Sequence, residues 1–276
     1  MMIEKIFSFI FGAVIGSFLN VCIWRLPKDL SIVKPFSFCP KCNTPIKWYD
    51  NVPILSFIIL GGKCRSCKEK ISKRYPVVEA ITAVMFLLLY AKLGLGADFF
   101  KYIFFFSLLI LVSFIDIDYH AIPVYLCFIG IAAGLTISAV DTLNYLRMGF
   151  FDWKGIPFVK ALWALIFGFG FSYMFKFFGD IFVGLYLALR KKESIEGETE
   201  ALGLGDVDFM GMAGIFLGIK LCVLTFFLAP FFALVYAVFA IIFKKSHLLP
   251  YLPYLSLGAL AAFFWGDKIL RLVIMQ

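Results

Sequence analysis

"IFSFIFGAVIGSFLNVCIW" (residues 6–24) runs nineteen residues without a charge and stops at Arg25. Wound as a helix it reaches roughly 30 Å, the thickness of a bilayer's hydrocarbon core. The residues before it, Met1 to Lys5, are not a basic leader, and no small-residue cleavage site follows Trp24. The stretch therefore reads as a retained first span and not a signal peptide. Similar runs recur at 80–91 (extending past Lys92), 102–115, 121–140, 161–175, 221–243 and 248–266, with a shorter one at 209–219. The pattern predicts about eight transmembrane helices. Composition agrees: 62% of the 276 residues are hydrophobic and 16% charged, and the mean hydropathy is +0.95. Those values exclude an ordinary soluble domain and imply a lipid bilayer as the solvent.

One long polar stretch interrupts the pattern. Between Arg25 and Arg74, eleven Lys and Arg face only Asp29, Asp50 and Glu69. The positive-inside rule places that loop in the cytoplasm. The formal net charge of +8 is thus a topology signal and implies no nucleic-acid partner. The loop also holds four of the seven cysteines, as "CPKC" (39–42) and "CRSC" (64–67). Disulfides are disfavoured in a reducing compartment. Two C-x-x-C pairs predict a structural Zn²⁺ on Cys39, Cys42, Cys64 and Cys67, each pair a knuckle aiming two sulfurs at one ion. A redox dithiol or an unmetallated remnant is the alternative. Cys22, Cys127 and Cys222 lie in apolar runs and read as small core hydrophobes. Between the pairs, Val52 to Leu60 is too short to span; it is expected to pack a small β-rich core or to lie along the membrane surface. The fold class is an all-α polytopic membrane protein with a small cytoplasmic zinc-binding loop domain between helices 1 and 2. The expected divisions are 1–24, 25–76 and 77–276.

Counting crossings from that loop puts "DIDYHAIP" (116–123) and "GLGDVDFMG" (203–211) at the same, cytoplasmic face, provided the region 158–189, which contains Lys176 and Asp180, crosses once. The "LGLG" at 202–205 also occurs at 93–96, but Asp98 after the earlier copy falls on the opposite side. Asp206 opens a helix whose N-terminal dipole favours a carboxylate, and a helix cap alone would explain it. A second acid, Asp116, at the same face suggests more, because ionisable groups near a membrane default to function. Two carboxylates sharing one proton can activate water and protonate a carbonyl without serine, thiol or metal. Asp118 and Asp208 follow at i+2, which points them elsewhere on a helix. His120 reads as interfacial polarity. Small residues at Gly12-x-x-x-Gly16 and in "GFGF" (168–171) read as helix packing.

The chain resembles the type IV prepilin peptidases, membrane aspartic proteases of the GxGD class. The likeness rests on "GSFLNVCIWRLP" (16–27), the paired C-x-x-C loop with "WYDNVPILSF" (48–57), "ISKRYPVVE" (71–79), "DIDYHAIP" and "ALGLGDVDFMG" (201–211), in that order. The resemblance implies Asp116 and Asp206 as the catalytic pair. It implies cleavage of prepilin or pseudopilin leaders after a glycine, at the cytoplasmic face of the bacterial inner membrane. It also implies N-methylation of the new terminus with S-adenosylmethionine, for which Asn20, Arg25, Arg74 and Glu79 in the matching motifs are the candidate cofactor-binding residues. Asp208 stands where many relatives carry Lys, and extra residues are expected near 141–157 and 190–200. The acidic run "ESIEGETE" (193–200) reads as a solvated loop or a lure for a cationic leader. A proton-coupled transporter and a non-enzymatic scaffold with a zinc loop are the rival classes; the first predicts inverted repeats and broken helices, neither visible in the sequence. Oligomeric state is not encoded in any of these motifs.

Overall fold

The computed structural model describes residues 2–120, 123–191, 194, 200–242 and 250–274. Among the described residues the chain is all-helical: α1 (Met2–Arg25), α2 (Leu55–Ile59), α3 (Arg74–Leu93), α4 (Ala97–Tyr119), α5 (Val124–Arg147), α6 (Pro157–Arg190), α7 (Leu204–Ile242) and α8 (Leu252–Ile274). Six helical stretches, Met2–Lys28, Arg74–Leu93, Ala97–Tyr119, Val124–Arg147, Pro157–Arg190 and Leu204–Ala240, are long and apolar enough to cross a membrane. The expected all-α polytopic architecture is present. Two compact units divide it, Met1–Ala121 and Ile122–Gln276.

In the first unit α1 lies on α3 through glycine. A methyl placed on Gly12 would sit 2.8 Å from the Ala83 Cα, and one on Gly16 would sit 2.7 Å from the Glu79 Cα. Only hydrogen fits there, so the two backbones meet without side chains between them. Ser8 donates to the Phe86 carbonyl at 2.9 Å, and Phe11, Phe86, Phe99 and Tyr90 stack along the same seam. Both α3 and α4 exceed their apolar runs. α3 begins at Arg74, which places Arg74 and Glu79 on helix. α4 runs to Tyr119, so Asp116 and Asp118 are in its last turn and not in the joint beyond it. His120 ends α4 in the left-handed conformation (φ 49°), its N–H donating to the Asp116 carbonyl.

In the second unit α6 is one unbroken helix of 34 residues, about 51 Å long, so 158–189 is a single rod. Gly168 abuts the Met210 carbonyl of α7, and Gly258 of α8 abuts the Thr225 carbonyl of α7, a methyl at either site falling within 2.6 Å. α7 breaks at Gly218 (φ 76°, ψ 167°), a conformation open to glycine at little cost. The expected runs 209–219 and 221–243 are its two segments. The first, 204–217, spans only about 21 Å. The sequence reading detected no broken helix; this is one.

The seam predicts a contrast. Gly16→Leu forces α1 off α3 and destabilises the protein by at least about 1–3 kcal/mol, seen as a lower thermal midpoint in detergent. Gly170, whose added methyl meets nothing within 4 Å, tolerates Ala with an unchanged or higher midpoint.

Candidate metal centre, cavity and acidic residues

The four loop cysteines converge. Their sulfurs all lie within 4.8 Å of one another, and Cys39 and Cys67 Sγ are 3.9 Å apart. A tetrahedron of sulfurs around zinc has edges of roughly 3.8 Å, so the set fits the ion. The two knuckles repeat one hydrogen-bond pattern. The Cys39 N–H donates to the Thr44 carbonyl and the Asn43 N–H to the Cys39 carbonyl; the Cys64 N–H donates to Glu69 and the Lys68 N–H returns to Cys64. Asn43 and Lys68, at equivalent places, both take positive φ (55° and 60°). Hydrogen bonding with Thr44 holds the Cys42 thiol down at about 6, and the Cys67 and Ser66 backbones hold Cys64 down. Cys67, although its backbone partner Glu69 opposes this, is pushed up to about 12 by desolvation and the three neighbouring sulfurs. Sulfurs this close cannot all ionise unless a cation joins them. The predicted β-rich core is absent: among the described residues the loop has only the isolated bridges Phe38–Pro45 and Lys63–Lys70. Leu55–Ile59 is instead a single helical turn with Leu55, Ile58 and Ile59 exposed. Outside the membrane segments, Arg65 forms a two-pronged pair with Asp50 (2.6 and 2.7 Å) and holds that carboxyl below the usual range.

Next to the sulfurs is a cavity of about 1070 Å³, and Asn20, Arg25, Arg74 and Glu79 all line it, as do Cys39 and Cys64. These sequence-predicted residues are brought together, and they do different things. Arg25 spends its guanidinium on the carbonyls of Ser31 (2.7 Å) and Pro35 (2.6 Å), bracing the first turn of the loop. Glu79 accepts the Ile54 N–H at 2.7 Å and hydrogen-bonds Ser17. Asn20, only 2% exposed, donates to the Tyr75 carbonyl at 3.1 Å, while its Oδ1 has no partner. Arg74 forms an ion pair with Asp118, which also lines the cavity; its Nε is buried and unpartnered. An acceptor and a donor left bare at one cavity are what a polar ligand would satisfy.

The two acids are each buried at a helix end: Asp116 in the first unit, 7% exposed, and Asp206 in the second, 8% exposed. Asp206 is the third residue of α7. Its Oδ2 accepts the Gly203 N–H at 3.2 Å and its own N–H donates to the Gly203 carbonyl at 3.2 Å, the reciprocal half of a capping box. Cys127 of α5 and Tyr251 lie within electrostatic reach of it. Most of "ESIEGETE", with Ile122, Lys192, Lys244 and Lys245, lies outside the described residues.

Sequence reading missed three roles. Asp118 belongs to Arg74, a pairing 44 positions apart that no local pattern announces. Ile54, a β-branched residue at φ 62°, ψ −51°, forms a strained γ-turn in which the Leu55 N–H meets the Pro53 carbonyl at 2.6 Å. Lys176 is the third, signalled only by being a lysine inside an apolar run.

Residues 10–93 match the family model described as the bacterial peptidase A24 N-terminal domain, and residues 103–238 match that of the type IV leader peptidase family. A prepilin leader peptidase/N-methyltransferase of Bacillus subtilis is 30% identical over 96% of both chains. A type 4 prepilin-like proteins leader peptide-processing enzyme of Escherichia coli is 31% identical over 92% of this chain and 91% of that one. A prepilin leader peptidase/N-methyltransferase of Myxococcus xanthus is 35% identical over 54% of this chain and 49% of that one. No solved structure matches the chain.

The metal centre makes its own prediction. Purified protein carries zinc at about one equivalent per chain by elemental analysis. Cys39→Ser loses it, and acidification releases it because protons compete for the same sulfurs.

Proposed function

The chain belongs to the type IV leader peptidase family, and on that premise we propose that it is a membrane enzyme with two activities. It removes the leader of type IV prepilins or pseudopilins at the cytoplasmic face of the bacterial inner membrane, and it N-methylates the residue so exposed with S-adenosylmethionine. The functional division is 1–24 as first span, 25–76 as the zinc-bearing part of the methyl-transfer unit, and 77–276 as the peptidase.

For the cut, Asp116 and Asp206 act as a pair. One carboxylate takes a proton from water while the other, protonated, donates to the scissile carbonyl oxygen; on collapse the proton returns to the leaving amine. The unbroken α5 and α6 support this, since two single crossings between the acids return the chain to the same face. The half capping box supports Asp206 in particular, because it holds one carboxylate oxygen in a fixed direction.

For methylation, the carrying observation is the bare pair at the cavity, Asn20 Oδ1 and Arg74 Nε. The methyl donor has an ammonium and a carboxylate on one carbon, and an orphan acceptor and an orphan guanidinium donor suit them. Asn20 takes the ammonium and Arg74 the carboxylate, with Asp118 fixing the guanidinium. Arg25 and Glu79 hold the walls, Glu79 through the strained turn at Ile54. The bound cofactor supplies an electrophilic methyl for the substrate amine. Zinc is structural here, since four thiolates leave no open position for substrate.

Separate substitutions test the two halves in full-length enzyme with a purified prepilin. Asp116→Ala and Asp206→Ala each reduce cleavage by on the order of 10³-fold, while methylation of an already trimmed pilin continues. Asn20→Ala and Arg74→Ala weaken donor binding at least about tenfold by calorimetry and spare cleavage. Full processing by both aspartate variants sinks the peptidase assignment. Undiminished donor binding in both cavity variants sinks the other.

A further inference from the structure

We propose that Lys176 is a positioning residue for the peptidase, holding Asp206 through one peptide plane. This rests on the assignment of Asp206 as a catalytic acid. Lys176 is in α6 and 7% exposed. Its ammonium meets three acceptors: Glu200 Oε2 at 2.5 Å, the Leu202 carbonyl at 2.8 Å and Asp180 Oδ2 at 3.1 Å. Three N–H bonds and three acceptors leave nothing spare.

The contact that matters is the one charge balance does not require. Two carboxylates already neutralise the lysine, yet its third bond goes to a backbone carbonyl. The Leu202 C=O and the Gly203 N–H are the two ends of one rigid amide. Lys176 holds the first end, and the second donates to Asp206 Oδ2 at 3.2 Å. Fixing the carbonyl therefore fixes the direction of the N–H. A cation on the oxygen also polarises the amide and strengthens that donor. Glycine at 203 makes the plane easy to turn, which is why an external hold is needed.

The same turn of α6 secures the preceding residue. Asp180 Oδ1 accepts the Ala201 N–H at 2.7 Å, and Gly179 lets that strand approach so closely that a methyl there would lie 2.6 Å from the Ala201 Cβ. From Glu200 to Gly203 the approach to α7 is tied to α6. All these groups are in the second unit, so the arrangement is complete within it.

The test uses full-length enzyme and the prepilin assay. Lys176→Met, which keeps length and apolarity, is expected to lower kcat by about 100-fold with KM within about threefold, while zinc content and methylation of trimmed pilin stay at wild-type levels. Lys176→Arg, which keeps a cationic donor, restores kcat to within about tenfold of wild type. Glu200→Gln, which removes a charge but leaves the Leu202 bond, stays within about threefold. A wild-type kcat for Lys176→Met overturns the proposal, as does a Glu200→Gln variant that loses as much as Lys176→Met. If Lys176→Met loses zinc and methylation too, the Arg variant decides: folded but as inactive as Asp206→Ala, it overturns the proposal. Asp206→Ala in the same assay keeps the two claims apart. Its activity would remove the assignment of Asp206, whereas its inactivity beside a fully active Lys176→Met removes only the role of Lys176.

Discussion

Within the hydrocarbon core of a bilayer no water is available to satisfy polar groups, and side chains buried at the ends of such helices have to find partners in the protein. This constraint organises the helix ends of the chain. Arg74 pairs with Asp118 between α3 and α4; Glu79 captures the Ile54 N–H from the zinc loop; Lys176 collects two carboxylates and a carbonyl; Asp206 takes the Gly203 N–H. The first ties helix to helix and the other three tie a loop to a helix, and loops tied in this way can hold a side chain in a fixed direction. Asn20 Oδ1 and Arg74 Nε break the pattern at one cavity. Among the described residues these two are the buried side-chain atoms left without a partner, and that exception carries the argument for a ligand.

The zinc loop obeys a different limit. Its apolar residues are mostly exposed, Trp48, Leu55, Ile58 and Ile59 among them, so it has little core of its own. Two knuckles with matching hydrogen bonds converge on one set of sulfurs, where metal coordination would substitute for burial. Because Cys39 and Cys64 also line the cavity, a metal folding the loop would also fix one wall of the proposed methyl-donor site. Arg25 and Glu79 fix others from α1 and α3. The strained turn at Ile54 is held by Glu79, which accepts the Ile54 N–H.

The sequence made legible what depends on spacing and long apolar runs. The cysteine pairs converged as expected because C-x-x-C geometry is local. The first span and the rods α4, α5 and α6 fell where uncharged runs lay. Helix ends were harder, since α3 and α4 continue into Arg74, Glu79, Asp116 and Asp118 once partners from elsewhere in the fold satisfy those side chains. The two segments of α7 were legible as separate apolar runs, but the break itself was not, because Gly218 sits among apolar residues and its non-helical φ and ψ (76° and 167°) leave no mark in the composition. Val52 to Leu60 read as part of a β-rich core or as a segment lying along the membrane surface; its backbone hydrogen bonds are instead spent locally, Ser56 to Val52, Ile58 to Ile54 and Leu60 to Ser56, in a helical turn. Of the cavity residues, the motifs supplied the identities. Which of them keep free hydrogen-bonding atoms depends on partners up to 55 positions away.

The resemblance to the prepilin peptidases implies a lysine two residues after Asp206, where this chain has Asp208. Taken in isolation, that substitution removes a cation from the neighbourhood of the proposed catalytic acid and adds a negative charge. The fold changes the terms of the comparison. Successive residues at i and i+2 on a helix diverge, so a lysine in that position would not share the direction of Asp206. Lys176 enters from α6, within 2.8 Å of the Leu202 carbonyl, and reaches Asp206 through an amide whose N–H is already bound to it. A cation delivered through a peptide plane constrains direction as well as charge, and it acts on the carboxylate oxygen that faces Gly203. Asp208 is then free to differ, because the loop before α7 is held from α6 and does not depend on the side chain at 208.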